Sequence, residues 1–230
     1  MQSKPVSPPT CAPGATPGGR REARREERRD AILEVAGRSF IENGYAGTTM
    51  SAIAGALGGS KGTLWNYFPS KEVLFDAVLD RKTRQFRDEL RLTLSEADTL
   101  EKALGRMCEM FISKLNSPEA IALQRLVLGE VGRFPEVGRI YYERGPEPSL
   151  ELVAGLLSRA MKSGLLREAN ALHAAQYLGA ICNARSSQRL LTGVRGWLTP
   201  AEVREEARGA VDLFLRAYRP EPVPAPDPAA

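Results

Sequence analysis

The feature that most constrains this chain is a helical pattern that continues from about residue 22 to residue 218. Strands need runs of alternating β-branched and aromatic residues, and no convincing run of that kind occurs. Helix boundaries are well marked instead. Thr199-Pro200-Ala201-Glu202 places a hydroxyl at the N-cap, proline at N1 and glutamate at N3. The sequence therefore predicts an all-α protein.

Other boundary signals divide this pattern into separate helices. Ser117-Pro118 and Ser70-Lys71-Glu72 are further hydroxyl starts, Asp98 with Glu101 predicts a capping box, and Gly164 fits the position after a helix end. We predict about nine helices, over residues 22–43, 49–57, 61–67, 71–93, 99–115, 118–132, 135–163 with a break at Gly145-Pro146, 170–190 and 200–218.

The excess of positive charge lies in the first third of the chain. Residues 20–87 contain 13 basic and 9 acidic side chains, whereas residues 88–230 contain 18 and 19. This asymmetry indicates an N-terminal part that faces a polyanion. Ten of the 16 prolines fall in residues 1–20 and 220–228, so we expect disordered tails over residues 1–20 and 219–230.

Cysteine and histidine usage excludes several classes of protein. Cys11, Cys108 and Cys182 lie far apart without a CxxC pair, which disfavours a disulfide scaffold or a zinc finger. With His173 as the single histidine, metal sites and Ser-His-Asp catalysis are also disfavoured. We expect no metal and no cofactor. No apolar run reaches the ~20 residues of a membrane helix, and no signal peptide is recognisable, so we expect a cytoplasmic protein.

Residues 49–68 have the pattern of a helix-turn-helix. A short helix with Ile53, Ala54 and Leu57 is followed by Gly58-Gly59-Ser60 and a second short helix in which Leu64 and Phe68 can pack inward. Polar and aromatic side chains then remain for the outer faces, and such a helix fits the major groove of DNA. Lys61, Tyr67 and Lys71 are predicted to contact phosphates, and Thr63, Trp65 and Asn66 to lie nearest the bases. The alternative is that Trp65 and Tyr67 are core aromatics.

At these residues the chain resembles a known family. The stretch from Ile32-Leu33 through Phe40-Ile41-Glu42-Asn43-Gly44-Tyr45 and Gly58–Glu72 closely resembles the DNA-binding domain of TetR/AcrR-type transcriptional regulators. Gly59 departs from the family's usual small apolar residue, and Trp65 from its usual tyrosine. The predicted DNA-contacting residues are Arg28, Thr48, Thr49, Ser60, Lys61, Gly62, Thr63, Trp65, Asn66, Tyr67 and Lys71.

The resemblance implies that residues 21–70 bind DNA and that residues 71–218 bind a ligand and form a dimer. Small residues on helix 170–190 and an apolar stripe on helix 200–218 favour a four-helix interface between two subunits. The residues assigned to this interface are Ala174, Ala175, Gly179, Cys182, Val203, Ala207, Val211 and Phe214. The alternative is that both stripes pack only within their own subunit.

Residues 123–145 resemble the AefR-like subgroup of this family, which implies a repressor that responds to a small molecule. The predicted effector is small and apolar, and an apolar lining with a few hydroxyls is typical of such sites. The candidate lining residues are Met107, Phe111, Leu126, Phe134, Tyr141, Tyr142 and Tyr177. For each of them, ordinary core packing is the alternative.

The sequence thus predicts a homodimeric repressor that an effector releases from double-stranded operator DNA. Helix 71–93 is the predicted lever, because it starts beside the DNA and ends near the pocket. Two other functions stay open: a helical enzyme, which the lone histidine argues against, and an interaction domain that no longer binds DNA. Cys108 and Cys182 are read as buried, inert thiols rather than redox switches.

Overall fold

The structure, a computed structural model, describes residues 17–58, 61–95 and 99–220, and these residues form eleven α-helices without a strand. The all-α fold is therefore confirmed. In chain order the helices are α1 Pro17–Gly47, α2 Met50–Ala56, α3 Lys61–Tyr67, α4 Lys71–Ser95, α5 Leu100–Leu115, α6 Pro118–Glu130, α7 Pro135–Arg144, α8 Pro146–Lys162, α9 Ala171–Asn183, α10 Ser187–Leu191 and α11 Pro200–Tyr218.

Most helix starts lie where the capping signals predict them. Thr199 and Glu202 form the reciprocal capping box of α11, and the Ser117 side chain accepts a hydrogen bond from the Ala120 amide at the start of α6. Gly164 follows α8 with φ 74°, the left-handed conformation that glycine adopts without a steric penalty. At α5 the prediction is corrected: Thr99 is the N-cap, while Asp98 lies outside the described residues.

The count of eleven rather than nine helices has two causes. Gly145 separates α7 from α8, as the break at Gly145-Pro146 predicts. The predicted helix 170–190 divides into α9 and α10 at a turn over residues 184–186, where the buried Ser186 donates a hydrogen bond to the Glu206 carboxylate of α11 at 2.5 Å. Residues 1–16 and 221–230 of the predicted tails lie outside the described residues, and α1 begins at Pro17.

The buried side chains form two clusters. The N-terminal cluster joins α1, α2 and α3 to the first turns of α4 and to α6 and α7; it contains Phe40, Tyr45, Phe75, Leu126 and Ile140. The larger cluster lies among α4, α5, α8, α9 and α11. The core of the N-terminal unit thus extends past the predicted boundary at residue 70, and α4, α6 and α7 pack in one cluster with α1, α2 and α3.

None of the helices in the described ranges is long and apolar enough to cross a membrane.

Candidate nucleic-acid interface and ligand cavity

Helix α3 presents an exposed polar and aromatic surface because its apolar residues anchor it from one side. Leu64 and Phe68 are both 2% exposed and belong to the N-terminal core. Trp65 is 40% exposed, and Asn66 and Gly62 are also exposed. An exposed Trp65 between two buried side chains disagrees with the alternative that Trp65 is a core aromatic. The exposed side of α3 is an α-helical surface, which the major groove of DNA admits.

Tyr67 and Thr63 are half-buried on the same helix. The Arg25 guanidinium carbon lies 6.0 Å from the centre of the Tyr67 ring, so the start of α1 runs beside the end of α3. Arg28, one turn further along α1, is half-buried. Ser60 lies outside the described residues, as does the side chain of Lys61 at the first position of α3.

Of the two threonines assigned to DNA, Thr48 is a correction. It is 1% exposed, and its one hydroxyl hydrogen is shared between the Gly44 and Ser39 carbonyl oxygens, 2.8 and 3.0 Å from Oγ1, so Thr48 holds the corner between α1 and α2. Thr49 is exposed and caps α2 by accepting a hydrogen bond from the Ala52 amide at 3.1 Å. The pattern Thr-Thr signals the helix start but does not tell which hydroxyl turns inward.

Lys71, also assigned to DNA, is partly buried, and its ammonium group contacts the protein itself. Nζ donates to the Tyr45 carbonyl oxygen at 2.8 Å and lies 4.3 Å from the Tyr45 ring centre and 5.6 Å from that of Phe134. Burial lowers the pKa of Lys71, against the opposing charges of Glu130 and Glu136. Lys71 therefore joins α4 to the end of α1 and to Phe134, which precedes α7, and its contact with a phosphate stays a prediction.

A third side chain, Glu130 at the end of α6, contributes to this junction and has no counterpart in the sequence analysis. Its Oε1 accepts a hydrogen bond from the Ala46 amide at 3.0 Å, across 84 residues of sequence. Gly44 is required there, since it has φ 73° and a Cβ at this position would lie 2.7 Å from the same oxygen. Asn43-Gly44 belongs to the stretch that resembles the family, but no local pattern in the sequence indicates that Glu130 is its distant partner.

Tyr45 completes the junction between the two units. It is 2% exposed and packs against Phe75 of α4 at 5.3 Å and against Phe134 at 5.2 Å, measured between ring centres. Burial, with the nearby charges of Glu136 and Glu72, raises the pKa of Tyr45 to about 12. Helices α1, α4 and α7 therefore meet around one aromatic side chain.

The body contains a half-open cavity of about 720 Å³ among α4 to α9. Its volume falls in the range of known small-molecule sites. The apolar lining includes Phe86, Phe111, Leu115, Leu123 and Leu150, and the polar lining includes Lys82, Thr83, Lys114, Glu119, Gln124, Tyr141, Tyr142, Gln176 and Asn183. Burial raises the pKa of Tyr141, so its hydroxyl is a neutral hydrogen-bonding group in the wall.

Three of the seven predicted lining residues, Phe111, Tyr141 and Tyr142, lie at this cavity. The other four do not. Met107 is in the core of the body, Leu126 is in the N-terminal core, Phe134 packs on Tyr45, and Tyr177 is 60% exposed on α9. Apolar periodicity predicts which face of a helix is buried. It does not tell whether that face packs against other side chains or lines a cavity.

The residues assigned to the dimer interface also need correction. Six of them are buried in the core of the single chain, Val203 packs against that core, and Gly179 lines the cavity; the six are Ala174, Ala175, Cys182, Ala207, Val211 and Phe214. These stripes point inward, as the alternative reading stated. The outer faces of α9 and α11 instead expose Leu172, Tyr177 and Leu213 by 43%, 60% and 55%.

The two described cysteines face each other between α5 and α9. Cys108 and Cys182 are 0% and 2% exposed, and the hydrogen bond that the Cys108 thiol donates to Cys182, together with burial, raises the pKa of Cys108 far above its ordinary value. A thiol of this kind is poorly reactive because the thiolate is the reactive form. In the part of the chain that the structure describes, no three His, Cys, Asp or Glu side chains group as a metal site.

The architecture defines a class of protein: a helix-turn-helix unit joined through a shared core to a helical body that contains a cavity. Family profiles match both parts. Residues 32–78 match the profile of bacterial regulatory proteins of the tetR family, and residues 102–220 match the C-terminal domain of AefR-like transcriptional repressors. The chain belongs to the TetR family, whose members are transcriptional regulators and not enzymes.

Individual relatives agree with this family. A TetR-family structure from Mesorhizobium loti has a TM-score of 0.75 and 29% identity, covering 85% of this chain and 98% of that one. The flavonoid-responsive regulator FrrA has a TM-score of 0.73 and 28% identity, covering 86% and 100%. An HTH-type regulator of Mycobacterium tuberculosis is 40% identical over 74 residues, 32% of this chain and 36% of that protein. The chain thus matches about a third of the length of that curated relative.

Proposed function

We propose that this chain is a cytoplasmic, homodimeric transcriptional repressor that binds operator DNA and leaves it when a small molecule enters the cavity. The observation that carries DNA binding is the surface of α3, where Trp65 and Asn66 are open beside the buried anchors Leu64 and Phe68. Trp65 and Asn66 read base edges, and Thr49 and Tyr67 lie at the margins of the contact.

The effector is a small, largely apolar molecule with one or more polar groups. Phe86, Phe111 and Leu123 supply apolar surface, while Tyr141 and Asn183 supply hydrogen-bonding groups. The regulator FrrA, which resembles this chain along most of its length, is described as flavonoid-responsive. That description favours an effector of the same kind for this chain.

Cavity and DNA surface communicate through two helical connections. Lys82, Thr83 and Phe86 of α4 line the cavity, and the same helix begins at Lys71 beside Tyr45. Helix α6 contributes Leu123 and Gln124 to the cavity and ends at Glu130, which holds the Ala46 amide. An effector that prefers a different arrangement of α4 and α6 shifts the population away from the DNA-binding state.

The subunits meet through the outer faces of α9 and α11, around Leu172, Tyr177 and Leu213. Each of these large apolar side chains is exposed, α9 and α11 pack against each other, and exposed apolar surface is typical of a protein interface. A two-fold dimer places two α3 helices ~34–36 Å apart, as successive major grooves on one side of the duplex require.

The test is selection of duplexes from a random library by the wild-type protein, followed by affinity measurements on the selected site. We expect Trp65→Ala to weaken binding roughly 10- to 100-fold, since a good base contact contributes ~1–3 kcal/mol. Trp197→Ala removes the other tryptophan, 52% exposed and outside the helix-turn-helix, and is the matched control. Equal affinities of the two variants contradict base reading by α3.

Sedimentation tests the dimer. The wild-type protein should run at twice the 25.1 kDa of the chain at micromolar concentration, and Leu213→Asp should run as a monomer with weaker DNA binding. Val211→Ala, which alters the buried side of the same helix, should remain dimeric. A wild-type species of 25.1 kDa alone contradicts the proposal.

A further inference from the structure

The first turns of α1 carry an arginine-rich segment that precedes the family profile, and Arg28 is the one residue of it that the sequence analysis assigns to DNA. Helix α1 begins at Pro17, whereas the family profile begins at residue 32. Between these points the helix carries Arg21, Arg24, Arg25, Arg28 and Arg29, which we call the arginine stripe. The first three are exposed and the last two are half-buried.

The charges of this segment separate onto two sides of the helix. At 3.6 residues per turn, the arginine stripe occupies a sector of about 140° of the circumference. Acidic residues occupy an opposite sector, also of about 140°; they are Glu22, Glu26, Glu27 and Asp30. In the part of the chain that the structure describes, no stripe arginine lies within ion-pair distance of a carboxylate, so the i,i+4 pairs that would neutralise a solvated helix end do not form.

The acidic side faces the body. Arg81 of α4 donates to the Asp30 carbonyl oxygen at 3.1 Å, and its Nε lies 3.6 Å from the Asp30 carboxylate. The pKa of Arg84 is raised mainly by its hydrogen bond to Asp80, and the charge of Glu26 adds to that shift. Arginines of α4 therefore balance the acidic sector of α1.

The arginine stripe runs toward α3. The Arg25 guanidinium carbon lies 6.0 Å from the Tyr67 ring centre, and that of Arg29 lies 5.6 Å from the Phe68 ring centre. Tyr67 is the last residue of α3. The stripe thus continues the surface of the proposed reading helix in the direction of the chain's N-terminus, and its positive charge is not offset by bound carboxylates.

We propose that the arginine stripe binds the phosphates of duplex DNA that flanks the bases read by α3. The proposal rests on the proposed function. Guanidinium groups suit phosphate oxygens because they donate two parallel hydrogen bonds. A membrane surface is a poorer occupant, since residues 17–29 offer Ala23 but no large apolar side chain to insert between lipids.

The experiment compares two duplexes with the same site, chosen by the wild-type protein from a random library. One duplex ends at the site, and the other continues for about ten base pairs, one helical turn, on each side. Affinity is measured by fluorescence anisotropy over a range of salt for the wild type and for Arg21→Gln/Arg24→Gln/Arg25→Gln. The net-charge control, Arg106→Gln/Arg159→Gln/Lys162→Gln, removes three exposed positive charges from the body.

We expect the stripe variant to lose the preference for the longer duplex and part of its salt dependence. Each neutralised phosphate contributes ~0.9 to the slope of log affinity against log salt, so three arginines in each of two subunits change it by up to about 5. The body control should retain both properties. Circular dichroism checks that the variants keep their helices.

The possible failures are distinguishable. If the stripe variant keeps the wild-type slope of log affinity against log salt and the wild-type preference for the longer duplex, the arginine stripe does not bind flanking DNA. That result leaves the proposed function intact. A wild-type protein that selects no duplex overturns both. If the stripe variant instead loses only the capture of vesicles of phosphatidylserine and phosphatidylcholine, the stripe serves a membrane surface and the proposal is wrong.

Discussion

Replacing Lys71 distinguishes two roles for this residue, a contact with a DNA phosphate and a stabilising contact within the fold. The sequence predicts a phosphate contact, whereas the structure shows Nζ on the Tyr45 carbonyl oxygen at 2.8 Å and above two aromatic rings. The informative change is Lys71→Met, which keeps most of the aliphatic stem and removes the charge. If the structural role is correct, the loss appears in the stability of the fold.

The expected magnitude follows from the contacts. A hydrogen bond with a charged donor contributes ~1.5–3 kcal/mol, and an exposed cation–π contact adds ~0.5–1 kcal/mol. Burial of the ammonium group, which lowers the pKa of Lys71, opposes these gains. We expect Lys71→Met to reduce the free energy of unfolding by about 2 kcal/mol, which lowers the melting temperature of a chain this long by about 4–8 °C.

The assay is denaturant unfolding followed by circular dichroism, paired with the salt dependence of DNA binding. Lys82→Met is the matched control, because Lys82 lies on the same helix, is exposed and has no ion pair in the described residues. Its unfolding free energy should stay within about 0.5 kcal/mol of wild type. Wild-type stability of Lys71→Met, together with a salt slope about 1.8 lower for the two lysines of a dimer, would refute the structural role.

Three further predictions concern the cavity, the junction and the last helix. Ala120→Trp narrows the cavity, so it should weaken binding of 1-anilinonaphthalene-8-sulfonate at least tenfold by fluorescence titration while DNA affinity is retained; unchanged dye binding would locate the dye elsewhere. The pKa of Tyr45 is about 12 in the fold and ~10 when unfolded, so its contribution is complete below pH 10 and is lost as the pH rises toward 12. Tyr45→Phe should show a smaller loss of stability over that interval, and an identical alkaline profile contradicts this origin. Thr199→Ala should cost ~1 kcal/mol in urea unfolding by removing the cap of α11, whereas Thr192→Ala, at a helix end, serves as the control.

Local patterns in the sequence predicted the helices well but predicted poorly which groups each side chain contacts. Thr199 and Ser117 cap their helices as predicted, because a cap depends on residues that are three positions apart. Leu64 and Phe68 are buried as predicted, because one face of a short helix must anchor it. Thr48 was wrongly assigned to DNA, since two adjacent hydroxyls look alike until the α1–α2 corner selects which one turns inward.

The dimer stripe shows the same division between pattern and placement. Periodicity located the apolar side of α11, including Ala207 and Phe214, but that side is covered by the chain's own helices. The exposed Leu213, which the pattern did not select, lies about 100° around the helix from Phe214. An apolar stripe on a helix predicts that the stripe is buried. Only the tertiary structure shows whether the same chain or another chain buries it.

The sequence by itself determined the all-α class, the positions of most helix ends and the helix-turn-helix, because these depend on interactions within one or two turns. Tertiary structure alone decided the contacts of Lys71 and Glu130, the location of the cavity and the side of α1 on which the arginines gather next to α3. Those features join residues that are distant along the chain, and their geometry exists only after the helices have packed.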